Sequence, residues 1–298
     1  MSIDIDRAHA FMTSHARLLD RHRFDLALNI GEAERSRNGI INSLEAYRNS
    51  DGGFGWGLEP DLRAPESQPG GAQHAWEAIA DTGIAAPETS GPLLEWLEKV
   101  ALPDGGLPFA LPIEDPTACA PFWVQADSGK SSLQITAGIT THALRSARVD
   151  ESILSHPWLK GSVAYCFNAI AAITEAPFAY VLSAALQFLD AASDTHPQAQ
   201  ALLTELFRFV PHTGALPVLG GADGESLHLL DYAPEPGRPI RALLGPDAVE
   251  ADLDRAQSAQ DADGGWSADF PSYSDAAAME WRGYLTIRTA SLLKLNGR

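Results

Sequence analysis

Glu59, Asp61 and Arg63 stand together in a proline-fixed segment, Glu59-Pro60-Asp61-Leu62-Arg63, and Gln73, His74 and Trp76 follow shortly after it. Two carboxylates beside a cation and an imidazole are the residue types of general acid–base work, provided that partial desolvation shifts their proton affinities. The plainer reading is a solvated loop with an ion pair and a helix-packed histidine. Towards the other end of the chain Glu280, Tyr284 and Arg288 are spaced by four. On a helix they share a narrow sector, because four residues overshoot a turn by about 40°. A charge on an otherwise apolar helix needs a partner or a cavity. Glu280 therefore either pairs with Arg282 or Arg288 across a turn, or lines a lumen together with Tyr284.

Two further clusters add candidates. His228, Asp231 and Tyr232 sit close enough in sequence for a polar cluster, and Pro121-Phe122-Trp123 precedes a segment opened by Ser131, Ser132 and Gln134. Aromatic faces bind apolar ligands or shield a cation, although a loop anchored by its own aromatics looks the same in sequence. The expected acids and bases are thus Glu59, Asp61, Asp231 and Glu280. The expected substrate contacts are Arg63, His74, Trp76, Trp123, Gln134, Tyr232, Arg282 and Tyr284. No metal and no cofactor is expected: His9, His15 and His22 lack ligand spacing and read as surface, flanked by Arg17, Arg21 and Arg23. Nucleophile-elbow, phosphate-cradling and His-Glu-x-x-His patterns are absent.

Composition narrows the partners. A formal charge of -18 and a pI near 4.7 oppose attraction to phosphate backbones and anionic lipid surfaces, so nucleic acid is excluded as an expected partner. The start, MSIDIDRAHAF, lacks the basic and apolar regions of a signal peptide, and no apolar run approaches the roughly 20 residues of a membrane span. A cytoplasmic protein without an integral membrane segment is expected. With two cysteines, Cys119 and Cys166, there is no disulfide framework; both read as reduced and structural.

What must position these residues is a repeat. Asp-Gly-Gly recurs at Asp51-Gly52-Gly53, Asp104-Gly105-Gly106 and Asp263-Gly264-Gly265, each followed by Phe54, Leu107 or Trp266. Thr213-Gly214-Ala215-Leu216-Pro217 echoes the second copy, and His156-Pro157-Trp158 fills the remaining slot of a period near fifty residues. Segments ending at these turns are amphipathic: Leu93, Leu94, Leu97 and Val100 share a face against Glu95, Glu98 and Lys99. Leu202, Leu203, Leu206 and Val210 do so against Gln198 and Glu205, and Val249, Leu253 and Ala256 against Asp252 and Asp254. Segments after the turns, Ser131 to Leu144, Pro177 to Leu189 and Ala276 to Leu293, are nearly uncharged all round, as buried helices are. The pattern predicts an all-α protein, five to six helical hairpins forming one (α/α) toroid over residues 1–298, with the long loops 57–71 and 103–130 at the mouth of a central cavity.

Gln260-Asp261-Ala262-Asp263-Gly264-Gly265-Trp266 resembles the Gln-to-Gly-x-Trp repeat of squalene cyclases and other terpenoid cyclases. Asn49-Ser50-Asp51-Gly52-Gly53-Phe54-Gly55-Trp56 is similar to a relaxed copy, and to the Gly-Gly-Phe-Gly turns of protein prenyltransferase β subunits. The resemblance implies a single barrel and a lipid-like pocket. It does not carry chemistry, since Asp-x-Asp-Asp and Asp-Asp-x-x-Asp are missing, Asp115 and Cys119 are too far apart for the zinc pair, and Met279-Glu280-Trp281 stands where a zinc ligand belongs. Three functions follow as expectations. The first is an enzyme acting on an isoprenoid or other small apolar molecule in the cavity, next a noncatalytic barrel binding lipid or protein, and last a carbohydrate-active α/α enzyme with a polar cleft.

Overall fold

The computed structural model describes residues 3–298. Fourteen α-helices account for most of the described residues: α1 (Ile5–His15), α2 (Leu18–Leu28), α3 (Ala33–Leu44), α4 (Pro69–Thr82), α5 (Pro87–Val100), α6 (Pro121–Val124), α7 (Leu133–Ser146), α8 (Ser152–Ser155), α9 (Pro157–Ala171), α10 (Ala179–Ala192), α11 (Gln198–Leu206), α12 (Leu229–Tyr232), α13 (Pro246–Ser258) and α14 (Asp275–Leu295). The one sheet among them pairs Leu216–Pro217 with Ser226–Leu227, antiparallel. No helix is long and apolar enough to cross a membrane.

Helices α14, α2, α4, α7 and α10 are successive neighbours, and α1, α3, α5, α9, α11 and α13 pack against them. We call the first group core helices and the second covering helices. Local chemistry sets their ends. Helix α4 starts with Pro69, whose missing N–H is no loss at a first position, and stops at Gly83 with φ 62°. Helices α7 and α14 are capped by Ser132 and Ser274, whose hydroxyls accept from the amides of Ile135 and Ala277.

The Asp-Gly-Gly turns share one construction. The carboxylates of Asp51, Asp104 and Asp263 accept from the amides of Gly53, Gly106 and Gly265 at 2.9, 3.0 and 3.1 Å. The intervening Gly52, Gly105 and Gly264 have φ of 93°, 87° and 96°, a region open to glycine. Each of these glycines also abuts backbone. A Cβ would come within 2.5 Å of the Pro92 carbonyl at Gly52 and 2.6 Å of the Gly161 carbonyl at Gly105, and would collide with the Arg7 carbonyl at Gly264. So the turn after α3 is seated on α5, the turn after α5 on α9, and the turn after α13 on α1. Gln260 adds to the last seat by bonding the backbone of Asp4 in both directions, at 2.9 and 3.0 Å.

Three expectations need correction. The turn at His156-Pro157-Trp158 does not join a covering helix to a core helix; it starts covering helix α9, and the joint to α10 lies in residues 172–178. Asp252 is not on a wet face. It is buried, its carboxylate accepting from the Leu230 amide at 2.8 Å and pairing with Arg255. The core helices are not all uncharged either. Helix α2 carries Asp20 and Arg23, both buried, and Arg17 and Arg23, which flank the histidines read as surface, are themselves nearly buried and buried. Both cysteines are free and buried.

Candidate functional site

Loop 57–68 descends over the start of α14 and ties predicted residues together. Arg63 donates to Glu280 at 2.7 Å. Asp61 accepts from the Trp281 indole at 2.7 Å and from the Tyr273 amide at 2.9 Å. Glu280 is paired with Arg63, and Arg17 stands 4.0 Å from it; it is not paired with Arg282 or Arg288. Below this layer the His74 ring meets Trp281 and Tyr284 edge-on, with centroids 5.9 and 5.2 Å away. Above it an aromatic rim runs from Trp123, stacked on Phe109 at 4.4 Å, through half-exposed Phe122 to Tyr273.

Glu59 is the desolvated acid of this layer. It is 5% exposed, and its Oε2 has no hydrogen-bond partner. Burial pushes its carboxyl well above the usual range, and the Asp61 charge adds to this, against the Asp61 amide and Arg17. A carboxyl protonated in the fold stabilises it fully below its ordinary value of 4.5, and that contribution disappears as pH rises through the folded value. Glu59→Gln keeps the shape and cannot ionise. It is expected to melt higher than wild type at pH 8 and to match it at pH 4; a lower melting temperature at pH 8 would mean that Glu59 is ionised and held by Arg17.

One turn deeper, residues that sequence reasoning passed over form the centre. Arg23 of α2 bridges Glu77 at 3.2 Å and Asp81 at 2.7 Å, both on α4. The Tyr284 hydroxyl donates to Glu77 at 3.1 Å, and His74 Nδ1 lies 3.6 Å from the other Glu77 oxygen. Burial alone would raise the Glu77 carboxyl, but Arg23, then His74 and His142, outweigh it and hold the group well below the usual range. Burial pushes the His142 imidazole down to about 3, with Glu77 opposing and Arg145 and Arg23 assisting; it is neutral at pH 7. Tyr284 is held protonated by burial and by the neighbouring Glu77 charge. The signal for these residues was legible. Glu77 and His142 are charged or titratable positions on helices that otherwise read as buried, which is the reasoning applied only to α14.

Other expected site residues lie elsewhere. Arg282 turns back to the last turn, bonding Asp261 and Asp263 and lying over the Phe11 ring. The Asp231 carboxylate accepts from the His228 amide and caps α12, and the Tyr232 hydroxyl donates to the Gly214 carbonyl at 2.6 Å. Trp76 is fully buried in the core. Gln134 is the exception, half-buried on α7 in the same row as half-buried His142 and Arg145. An open depression of about 540 Å³ exists at the first Asp-Gly-Gly turn, between Arg48, Asp51, Glu95 and Lys99. Its lining is polar and mostly charged, and none of the expected site residues borders it. No group of three or more His, Cys, Asp or Glu among the described residues could hold a metal ion.

No protein-family profile matches this chain. No curated protein is similar to it either. The functional reading therefore rests on the geometry above. That geometry offers a buried acid under an aromatic rim and, beneath it, an ionised carboxylate within reach of a phenol and two imidazoles.

Proposed function

We propose that the chain is a closed ring of five to six helical hairpins whose centre is an acid–base site for a polar, hydroxyl-bearing small molecule. Closure is supported by the seating of the turn after α13 on α1, the same joint that links earlier neighbours. The observation that carries the polar reading is the stripe of side chains left partly open on core helices. Helix α4 presents half-buried Gln73 and Glu77, ending at exposed Asp81, and α7 presents Gln134, His142 and Arg145. The two stripes face each other, since a Cβ on Gly138 would meet the Gln73 amide at 2.8 Å.

An isoprenoid in contact with these groups would strand their charges and amides without hydrogen bonds, a cost of about 1–3 kcal/mol per group. A hydroxylated ligand satisfies them instead. The side chains therefore favour the carbohydrate-type reading over the apolar one. In this reading Glu77, held ionised by Arg23, orients the Tyr284 hydroxyl and binds substrate hydroxyls, and Glu59, whose carboxyl burial raises, is the proton-transfer group.

The test is turnover by the purified chain of a panel of sugars, uronates and hydroxy acids beside geranyl diphosphate and squalene, followed by NMR. Turnover of a polar member, lost by about 100-fold or more in Glu59→Gln as expected for a general acid or base, supports the reading. Turnover confined to geranyl diphosphate or squalene would overturn it.

A further inference from the structure

One imidazole of the centre faces a carboxylate oxygen, and neither atom has another partner. On α4 the Glu77 Oε1 atom takes Arg23 at 3.2 Å and the Tyr284 hydroxyl at 3.1 Å. Its Oε2 accepts from no described group and stands 3.6 Å from His74 Nδ1. That nitrogen is sealed from water without a hydrogen-bond partner, in a residue 8% exposed. The other ring nitrogen, Nε2, is bonded to no described group either, and it is not sealed. Buried polar atoms of a folded chain are satisfied with few exceptions, so an imidazole with both nitrogens unspent needs a reason for its place.

The ring is held from two sides. Trp281 meets it at an interplanar angle of 64° and Tyr284 at 83°, and each of these is itself tied, Trp281 through its indole to Asp61 and Tyr284 through its hydroxyl to Glu77. An imidazole fixed in this way keeps one nitrogen towards Glu77 and the other away from it. The gap of 3.6 Å is just beyond a hydrogen bond, and hydrogen bonds between catalytic groups often tighten only when a ligand binds. The remaining histidine–carboxylate pairs are of another kind. His9, His156 and His228 lie 3.6, 3.8 and 4.0 Å from Asp25, Glu98 and Asp269, all of which reach solvent, and the side chains of His156 and His228 also cap helices.

We infer that His74 is a further proton-transfer residue of the centre, with Nε2 taking the proton and Glu77 positioning the ring through Nδ1. This rests on the polar-centre reading and extends it. Glu77 accepts from Nδ1–H and so leaves the lone pair on Nε2. That lone pair takes a hydroxyl proton of the bound molecule: the O–H bond breaks, the Nε2–H bond forms and the electron pair stays on the oxygen. The imidazolium is stabilised by the Glu77 charge until it returns the proton to the product.

Two measurements on the full chain test this. In nitrogen-15 NMR at pH 8 the His74 ring, identified by its proximity to the Trp281 and Tyr284 ring protons, is expected to carry its proton on Nδ1 and none on Nε2. A proton on Nε2 instead would overturn the inference without any variant being made. The second measurement is steady-state kinetics on the sugar, uronate or hydroxy acid that the chain turns over. His74→Gln is expected to lower kcat by about 100-fold or more, as for a general base, with KM little changed. If His74→Gln does not fold, His74→Asn takes its place with the same expected loss, since its amide can still face Glu77 but supplies no Nε2. A raised KM at unchanged kcat would make His74 a binding group and overturn the inference. A kcat kept on replacing His74 but lost in Glu59→Gln would also overturn it, while leaving the polar-centre reading intact. Turnover of no polar member would remove both.

Discussion

Arg23→Gln is expected to destabilise the protein by about 3–5 kcal/mol, the cost of leaving a buried carboxylate without its cation. Arg23 is 3% exposed and is the shared partner of Glu77 and Asp81, so a single substitution strips both carboxylates. The effect has a pH signature. In wild type Glu77 is depressed below its ordinary value of 4.5; its contribution to stability is therefore present above that value and lost as pH falls through the folded one. In Arg23→Gln that contribution is gone at all pH values, so the gap between variant and wild type is widest near neutrality and narrows below about pH 4.5. Urea unfolding at pH 7 and pH 4 reads this directly. A gap that does not narrow at pH 4 would show that Arg23 acts by packing and not through the Glu77 charge.

The second large effect falls on the joint between the two ends of the chain. Gly264→Ala is expected to cost about 2–5 kcal/mol, combining about 1–2 kcal/mol for an L side chain in a left-handed conformation with about 1–3 kcal/mol for overpacking. Its φ is 96°, and the added methyl group would meet the Arg7 carbonyl and the Ala8 amide, which are helix backbone and cannot swing aside. Gly83→Ala is the natural control. Its φ of 62° is comparable, but no atom lies within 4 Å of the added carbon, so only the conformational part, about 1–2 kcal/mol, should appear. Thermal unfolding of both variants decides the point: equal losses would mean that the last turn is not seated on α1 under strain-free close contact. Because this seat is what closes the proposed ring, the comparison also tests the architecture.

The two predictions touch different layers of the molecule, and they were legible in the sequence to different degrees. Gly264 was announced by its own repeat, because a turn that needs a positive φ and a close backbone approach excludes every residue with a Cβ, and the constraint is the same at Gly52 and Gly105. Arg23 was not. It sits among Arg17, Arg21 and His22 on a helix whose composition reads as solvated, and its burial follows only from the carboxylates that α4 brings to it.

By itself, then, the sequence determined what is local: the glycine turns, the amphipathic covering helices and the all-helical class, whereas the expected loop 57–71 ends earlier, because Pro69 already opens α4. It also marked loop 57–71 and the last apolar segment as places rich in chemistry, and Arg63, Asp61, His74 and Tyr284 do converge there with Glu280 and Trp281. Tertiary structure decided which charges are spent and which are free. Asp231 and Arg282 are consumed by a helix cap and a turn and Glu77 is spent on Arg23 of a helix far away in sequence, whereas buried Glu59 keeps an oxygen without a partner. The physical reason is that a hydrophobic period fixes one helix's buried face, while pairing and desolvation of a charge depend on what neighbouring helices place opposite it.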